Sequence, residues 1–339
     1  MKALIGVALL CCILKGASAW HGNGHYITAY IAQQWLLENN YDALKWANDI
    51  LIPFKLLCGE NLYPFVESAT WLDKIKDQGW HTLDNHHFTP AYWYDEGAKP
   101  TKEFDPATYS NATFAINDAI KTLSAKNEDP YGSSKNILGK SFAMRELTHL
   151  VGDIHQPLHT EERVTPERPE SDRGGNDFII KHYNDKYMDN LHFIWDEMFE
   201  DYSESIRTNL PKDKYLFIKA KGDLIMQEYP LSKLKAQIDA NNTAAAWALE
   251  GLDISKNFAY KGIKEREAFP EQYMKEGAII CKQRVALGGY RLGMIIDNIY
   301  KKLTKPVPPV KSSPTTSEDQ SLSLATASIP GYTSQQLSN

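Results

Sequence analysis

Cysteine is scarce in this sequence, four in 339 residues, too few for a disulfide scaffold or for the cysteine-rich tetrads of structural zinc modules. Positive charge is also short. The 37 Lys and Arg stand against 43 Asp and Glu, a net charge of −6, which leaves no basic surface to hold a polyanion by counterion release alone. An anionic substrate must meet positive charge from another source. Long apolar runs are missing as well. The one of note, Ala3 to Leu14, is too short to cross a bilayer. It follows Lys2 and leads to Ala17-Ser18-Ala19, a small-residue cleavage pattern, so residues 1–19 read as a signal peptide and a secreted or lumenal destination is expected. No Gly/Ser-rich linker and no repeat interrupts 20–304, which argues for one domain. From Lys305 onward, 12 Ser or Thr and 5 Pro in the last 35 residues predict a disordered tail, without the hydrophobic end that a membrane anchor needs.

Loss of the leader removes Lys2 and Lys15 and takes the net charge from −6 to −8. It also removes Cys11 and Cys12. Cys58 and Cys281 remain, and in an oxidising compartment they form one bridge or stay as two buried thiols, the bridge being the favoured reading. Asn111-Ala112-Thr113 and Asn241-Asn242-Thr243 are glycosylation sequons, at Asn111 and Asn241.

What the sequence does have is apolar content, 42% hydrophobic against 24% charged, arranged with helical period. Leu292, Ile295, Ile296, Ile299 and Leu303 make the stripe of a helix buried on one face, and Ala143, Leu147, Leu150, Val151 and Ile154 repeat it until Pro157 closes the segment. Strand-like alternation is short, as around Phe178 to Ile180. The expected fold is all-α, with long loops carrying Gly174-Gly175 and Tyr92-Trp93-Tyr94.

Chemistry concentrates in His149-Leu150-Val151-Gly152-Asp153-Ile154-His155-Gln156-Pro157-Leu158-His159. His149 and Asp153 are four apart and share a helical face distinct from the apolar stripe, so they line a surface or cleft. His192 and Asp196 repeat the spacing. One such pair is ordinary on a helix surface; two, with His159 beyond a helix end, suit zinc held by imidazole and carboxylate. His21, His81 and His182 have no partner at ligand spacing and read as surface residues.

These segments resemble the S1/P1 family of zinc-dependent nucleases and 3'-nucleotidases. Trp20 would begin the mature chain with His25 five residues on, Trp71-Leu72-Asp73 resembles the family's Trp-x-Asp segment, and His87-Phe88 its His-aromatic segment. The resemblance runs from Trp20 to the final helix and implies a helical fold around three zinc ions. Asp73, His87, His149 and Asp153 would hold the first; His159, His192 and Asp196 the second; the amine and carbonyl of Trp20, His25 and a bridging Asp153 the third. His86 competes with His87, and Phe88 favours His87. His155 is expected to pack behind the ligands. Three zinc ions against three aspartates would supply the positive charge that the surface lacks.

The implied substrates are single-stranded DNA or RNA, cut to 5'-phosphorylated products, and 3'-nucleotides; Asp73, Lys76 and Asp153 would serve catalysis, and Phe88 with Lys76 the substrate. Lys76 stands where several members carry an arginine, and keeps the charge without the two-pronged donor. Pro90 replaces the carboxylate that hydrogen-bonds the base in fungal members, so no base preference transfers. The chain is read as a monomer. The alternative is a zinc phospholipase C, similar in fold, N-terminal Trp and metal cluster. Its second pair is typically His-x3-Glu and its Trp-to-His interval longer, so Asp196 and His25 favour the nuclease. A protein that keeps zinc only for stability would need closed four-coordinate sites.

Overall fold

The computed structural model describes residues 20–77, 86–101, 111–125, 136–182, 187–199 and 210–305. The leader, His81 and the tail beyond Lys305 lie outside the described residues. The chain starts with α1 (Gly22–Asn39) and α2 (Tyr41–Leu51), followed by the short helices α3 (Lys55–Cys58), α4 (Pro64–Glu67) and α5 (Trp71–Asp77). A strand, β1 (Tyr92–Tyr94), precedes α6 (Ala112–Ser124) and α7 (Ile137–Asp153). A 3-10 turn at Pro157–Thr160 leads to β2 (Glu162–Val164), β3 (Ile179–Lys181), β4 (Met188–Asn190) and α8 (Leu191–Asp196). The last part is α9 (Lys212–Glu228), α10 (Leu231–Ala240), α11 (Ala244–Ile254) and the 34-residue α12 (Glu271–Thr304). No described helix is long and apolar enough to cross a membrane.

Helix starts follow from local chemistry. The side chains of Asn40, Asn111, Asn136, Asn190 and Thr243 accept from backbone N–H groups at the starts of α2, α6, α7, α8 and α11, the role for which short polar side chains are favoured. Asn111, one of the two sequons, spends its Oδ1 on Phe114 N at 2.9 Å. In the other, Asn241 Nδ2 donates to Glu250 at 3.0 Å.

The core is layered around α1, which packs along α12, α9 and α7. Twelve α1 residues are buried, on every side of the helix, so it shows no amphipathic stripe and has no clear signature in the sequence. The expected one-face stripe is found in α12, whereas in α7 the stripe residues are buried but so is every residue from Ala143 to Asp153, because its polar face lines the interior as well. The stretch Tyr92-Trp93-Tyr94, expected as loop, is instead strand β1, paired parallel to β2 with Tyr92 opposite Glu162. Aromatic residues suit a half-buried pleated edge, and three residues are too few to show alternation.

The expected Cys58–Cys281 bridge is not formed. Cys58 ends α3 beside Lys74, whose Nζ donates to the Cys58 carbonyl at 3.2 Å, while Cys281 lies buried within α12. A cysteine count cannot tell which elements carry the two thiols.

Candidate metal centre

Three helices carry the aspartates of the centre and two of its histidines. Helix α7 projects His149 and Asp153 from its last turns, α5 projects Asp73 and Lys76, and α8 projects His192 and Asp196. Two further segments meet there. Backbone bonds from Thr89 N to His159 O, 2.9 Å, and from Ala91 N to Thr160 O, 3.2 Å, fasten the His87-Phe88 segment to the turn carrying His159. His25 comes from the first turn of the buried α1, and its approach depends on a glycine: a Cβ on Gly152 would lie 2.7 Å from His25 Nδ1.

The ligand atoms form three groups, each within 4.8 Å: His87, His149 and Asp153; His25, Asp73 and His149, which shares His149 with the first; and His159, His192 and Asp196. In the first, Asp153 Oδ2 lies 2.8 Å from His87 Nδ1 and 3.2 Å from His149 Nε2. His25 Nε2 lies 3.3 Å from Asp153 Oδ1, and its ring stacks on His149 at 4.0 Å. Asp73 Oδ1 is 3.8 Å from His149 Nε2 and 3.4 Å from Lys76 Nζ. In the third, His159 Nε2 faces His192 Nε2 at 3.1 Å, and Asp196 Oδ2 is 3.6 Å from His192.

Backbone carbonyls fix the tautomers. His149 Nδ1 donates to Ala69 O at 2.6 Å, His159 Nδ1 to His87 O at 2.7 Å and His192 Nδ1 to Gly174 O at 2.7 Å. A carbonyl only accepts, so each Nδ1 carries the proton; burial keeps the His159 and His192 rings neutral, each with a bare Nε2 lone pair, whereas at His149 burial is outweighed by Asp153 and Asp73, which favour the protonated ring. The His159 and His192 lone pairs therefore point at each other with no proton between them, a repulsive arrangement unless a cation joins them. Fully buried His87 Nε2 and Asp153 Oδ1 make no hydrogen bond, a costly state that an ion would relieve. This donor set of imidazole and carboxylate fits zinc.

Burial pushes His159 well below the usual imidazole range and His192 down to about 4, and lifts Asp196 well above the carboxylate range. Around Asp153 burial acts the same way, but the facing His149 and His87 rings outweigh it and hold the carboxyl well below its usual value. Asp73 is lowered too: burial opposes the shift, and Lys76 followed by His149 overcomes it.

All the side chains predicted as ligands come together. Trp20 is fully buried, its indole donating to Gly152 O at 2.9 Å, and His21 N donates to Asp196 O at 3.0 Å, so this residue sits between the two aspartates. Lys76 is buried in the centre, not exposed on the surface. Phe88 stacks on His159 with ring centroids 4.5 Å apart. His86 turns away to Glu146 at 2.9 Å, which leaves His87 in the centre. His155 packs behind it as expected, fully buried, with Nδ1 on Val151 O. His182 is a correction: it is buried, stacks on Tyr187 and faces Glu197 at 3.4 Å, a setting made by strand pairing that spacing alone does not reveal. Sequence reasoning missed Gln156, which donates to Asp196 Oδ1 at 2.7 Å and leaves Oδ2 toward His192; its place inside the His149–His159 segment was the available signal.

Compared with known proteins, the chain matches the family model described as S1/P1 Nuclease over residues 20–301. It is 25% identical to Endonuclease 4 of Arabidopsis thaliana over 309 residues, covering 88% of this chain and 95% of that protein. Endonuclease 2 of the same plant is 27% identical over 288 residues, with 83% and 90% covered. Nuclease P1 of Penicillium citrinum is 25% identical over 304 residues, with 83% and 98% covered.

Proposed function

The chain belongs to the S1/P1 nuclease family, and from that premise we propose that it is a secreted phosphoesterase with three zinc ions, cutting single-stranded DNA or RNA to 5'-phosphorylated products and removing phosphate from 3'-nucleotides. The observation that carries this reading is the pair of bare Nε2 atoms of His159 and His192 facing each other at 3.1 Å. Asp73, His87, His149 and Asp153 would hold the first ion, His159, His192 and Asp196 the second, and Trp20, His25 and Asp153 the third. Asp73 also lies near His25, so its carboxylate is within reach of both neighbouring sites. When bound, zinc supplies positive charge for the phosphate and acidifies water to near neutrality.

The chain's own groups do the rest. Lys76, held against Asp73 on the next turn of α5, presents an ammonium to a phosphoryl oxygen as charge develops there. The Nδ1–H bonds to Ala69, His87 and Gly174 keep three rings from turning. Gln156 orients Asp196. Phe88, partly exposed, offers a ring face to a base, and stacking of that kind tolerates any base. The leader at 1–19 and the sequons at Asn111 and Asn241 belong to the same secretory reading.

Product release from single-stranded DNA, RNA, 3'-AMP and a phosphatidylcholine emulsion, with and without chelator, tests the proposal. Hydrolysis of the first three, lost with chelator and regained with zinc, is expected. Preferential release of phosphocholine would replace this reading with the phospholipase C alternative.

A further inference from the structure

A half-open groove of about 610 Å³ lies on the side of α5 away from the metal centre. Trp71, Lys74 and Ile75, three and four residues apart, share one face of that helix and line the groove, whereas Asp73 and Lys76 point to the centre. Phe54, Leu57, Leu138 and Phe142 complete its apolar wall. Leu57 is 85% exposed and Leu138 60%, so large side chains stand in water at the rim. A concave, apolar volume of this size with few polar groups is the usual form of a small-molecule site.

The polar groups select the ligand. The described lining residues include two cations, Lys74 and Arg145, and no carboxylate. Arg145 is committed elsewhere: its Nε and Nη2 donate to both oxygens of Glu60 at 2.6 and 2.7 Å. Lys74 makes no ion pair with a described residue, its one described hydrogen bond being to the Cys58 carbonyl. The groove therefore presents an ammonium beside apolar walls with no carboxylate in its described lining, complementary to an anion with a hydrocarbon tail and unfavourable for a cation.

We propose that this groove binds a single-chain anionic amphiphile, with the tail against Phe54, Trp71, Ile75 and Phe142 and the acidic head on Lys74. Isothermal titration of the zinc-loaded protein with monomeric decanoate, and with decyltrimethylammonium as the cation of matching tail, tests this. Decanoate is expected to bind saturably at one site and decyltrimethylammonium not to bind. Lys74→Gln should weaken decanoate about tenfold, the loss of one charge-assisted contact, and Leu57→Asp, at an exposed position, at least as much. Zinc content and nuclease activity should stay unchanged in both variants, since neither residue touches the metal centre. Equal affinity for the two amphiphiles, or decanoate affinity unaffected by both substitutions, overturns the proposal. So does binding to phosphatidylglycerol vesicles with none to monomeric decanoate, which would make the face a membrane contact.

Discussion

At His159 and His192 the position of one proton decides the chemistry. With Nδ1–H spent on His87 O and Gly174 O, the Nε2 lone pairs meet, and neither ring can turn away without leaving a buried donor unpaired. Phe88 lies on one of these rings, which sharpens a test of its role. Phe88→Ala should weaken binding of a dinucleotide by about 1–3 kcal/mol, read as a rise in KM, and should leave hydrolysis of an alkyl phosphodiester lacking a base nearly unchanged. Equal loss on both substrates would mean that the ring serves to support His159. Spacing could identify His159 and Phe88 as separate candidates; it could not place them in contact, because that depends on backbone bonds between segments 70 residues apart in sequence. The cysteines make the opposite case, where counting suggested a pair that the structure does not join. Thiol titration of denatured, unreduced mature protein should find two thiols per chain, and none would restore the bridge.

Among the elements, α7 was legible because it combines an apolar stripe with a stop at Pro157, and its His149–Asp153 spacing is itself a helical signal. The buried α1 was not legible, nor was β1, since uniform burial and very short strands both erase periodicity. Behind the end of α7 an ion network ties α11 to α12: Glu250 accepts from Arg291 at 2.7 Å and pairs with Arg284, whose Nε holds the His155 carbonyl at 3.0 Å. Burial opposes ionisation of Glu250, but Arg291 and Arg284 outweigh it and bring its pKa down to about 2. A carboxyl more acidic in the folded than in the unfolded state stabilises above its unfolded pKa, and that contribution fades as pH falls from about 4.5 to about 2. Wild type should therefore exceed Glu250→Gln in unfolding free energy by about 2 kcal/mol near neutrality, with the gap closing below about pH 3. A gap that persists unchanged to pH 2 in urea denaturation would mean that the glutamate acts by packing and not by charge.

For the whole molecule the unresolved problem of the sequence was charge: an acidic chain with an expected polyanionic substrate. The fold answers it by gathering three aspartates and five histidines from α1, α5, α7, α8 and two loops into one centre, where divalent cations, and not surface lysines, would meet the phosphate. On the proposed ligand set, Trp20 would give that centre a dependence on processing. Its α-amine becomes a donor only if the chain is cut after Ala19, because an amide nitrogen has no lone pair to offer a metal at neutral pH. The most direct test is zinc counted per chain by elemental analysis, alongside nuclease activity, in protein that begins at Trp20 and in protein that keeps extra residues before it. Close to three zinc ions and full activity are expected in the first, and about two ions with most activity lost in the second, the same two side-chain sites remaining intact. Full activity in a preparation carrying no zinc would contradict this.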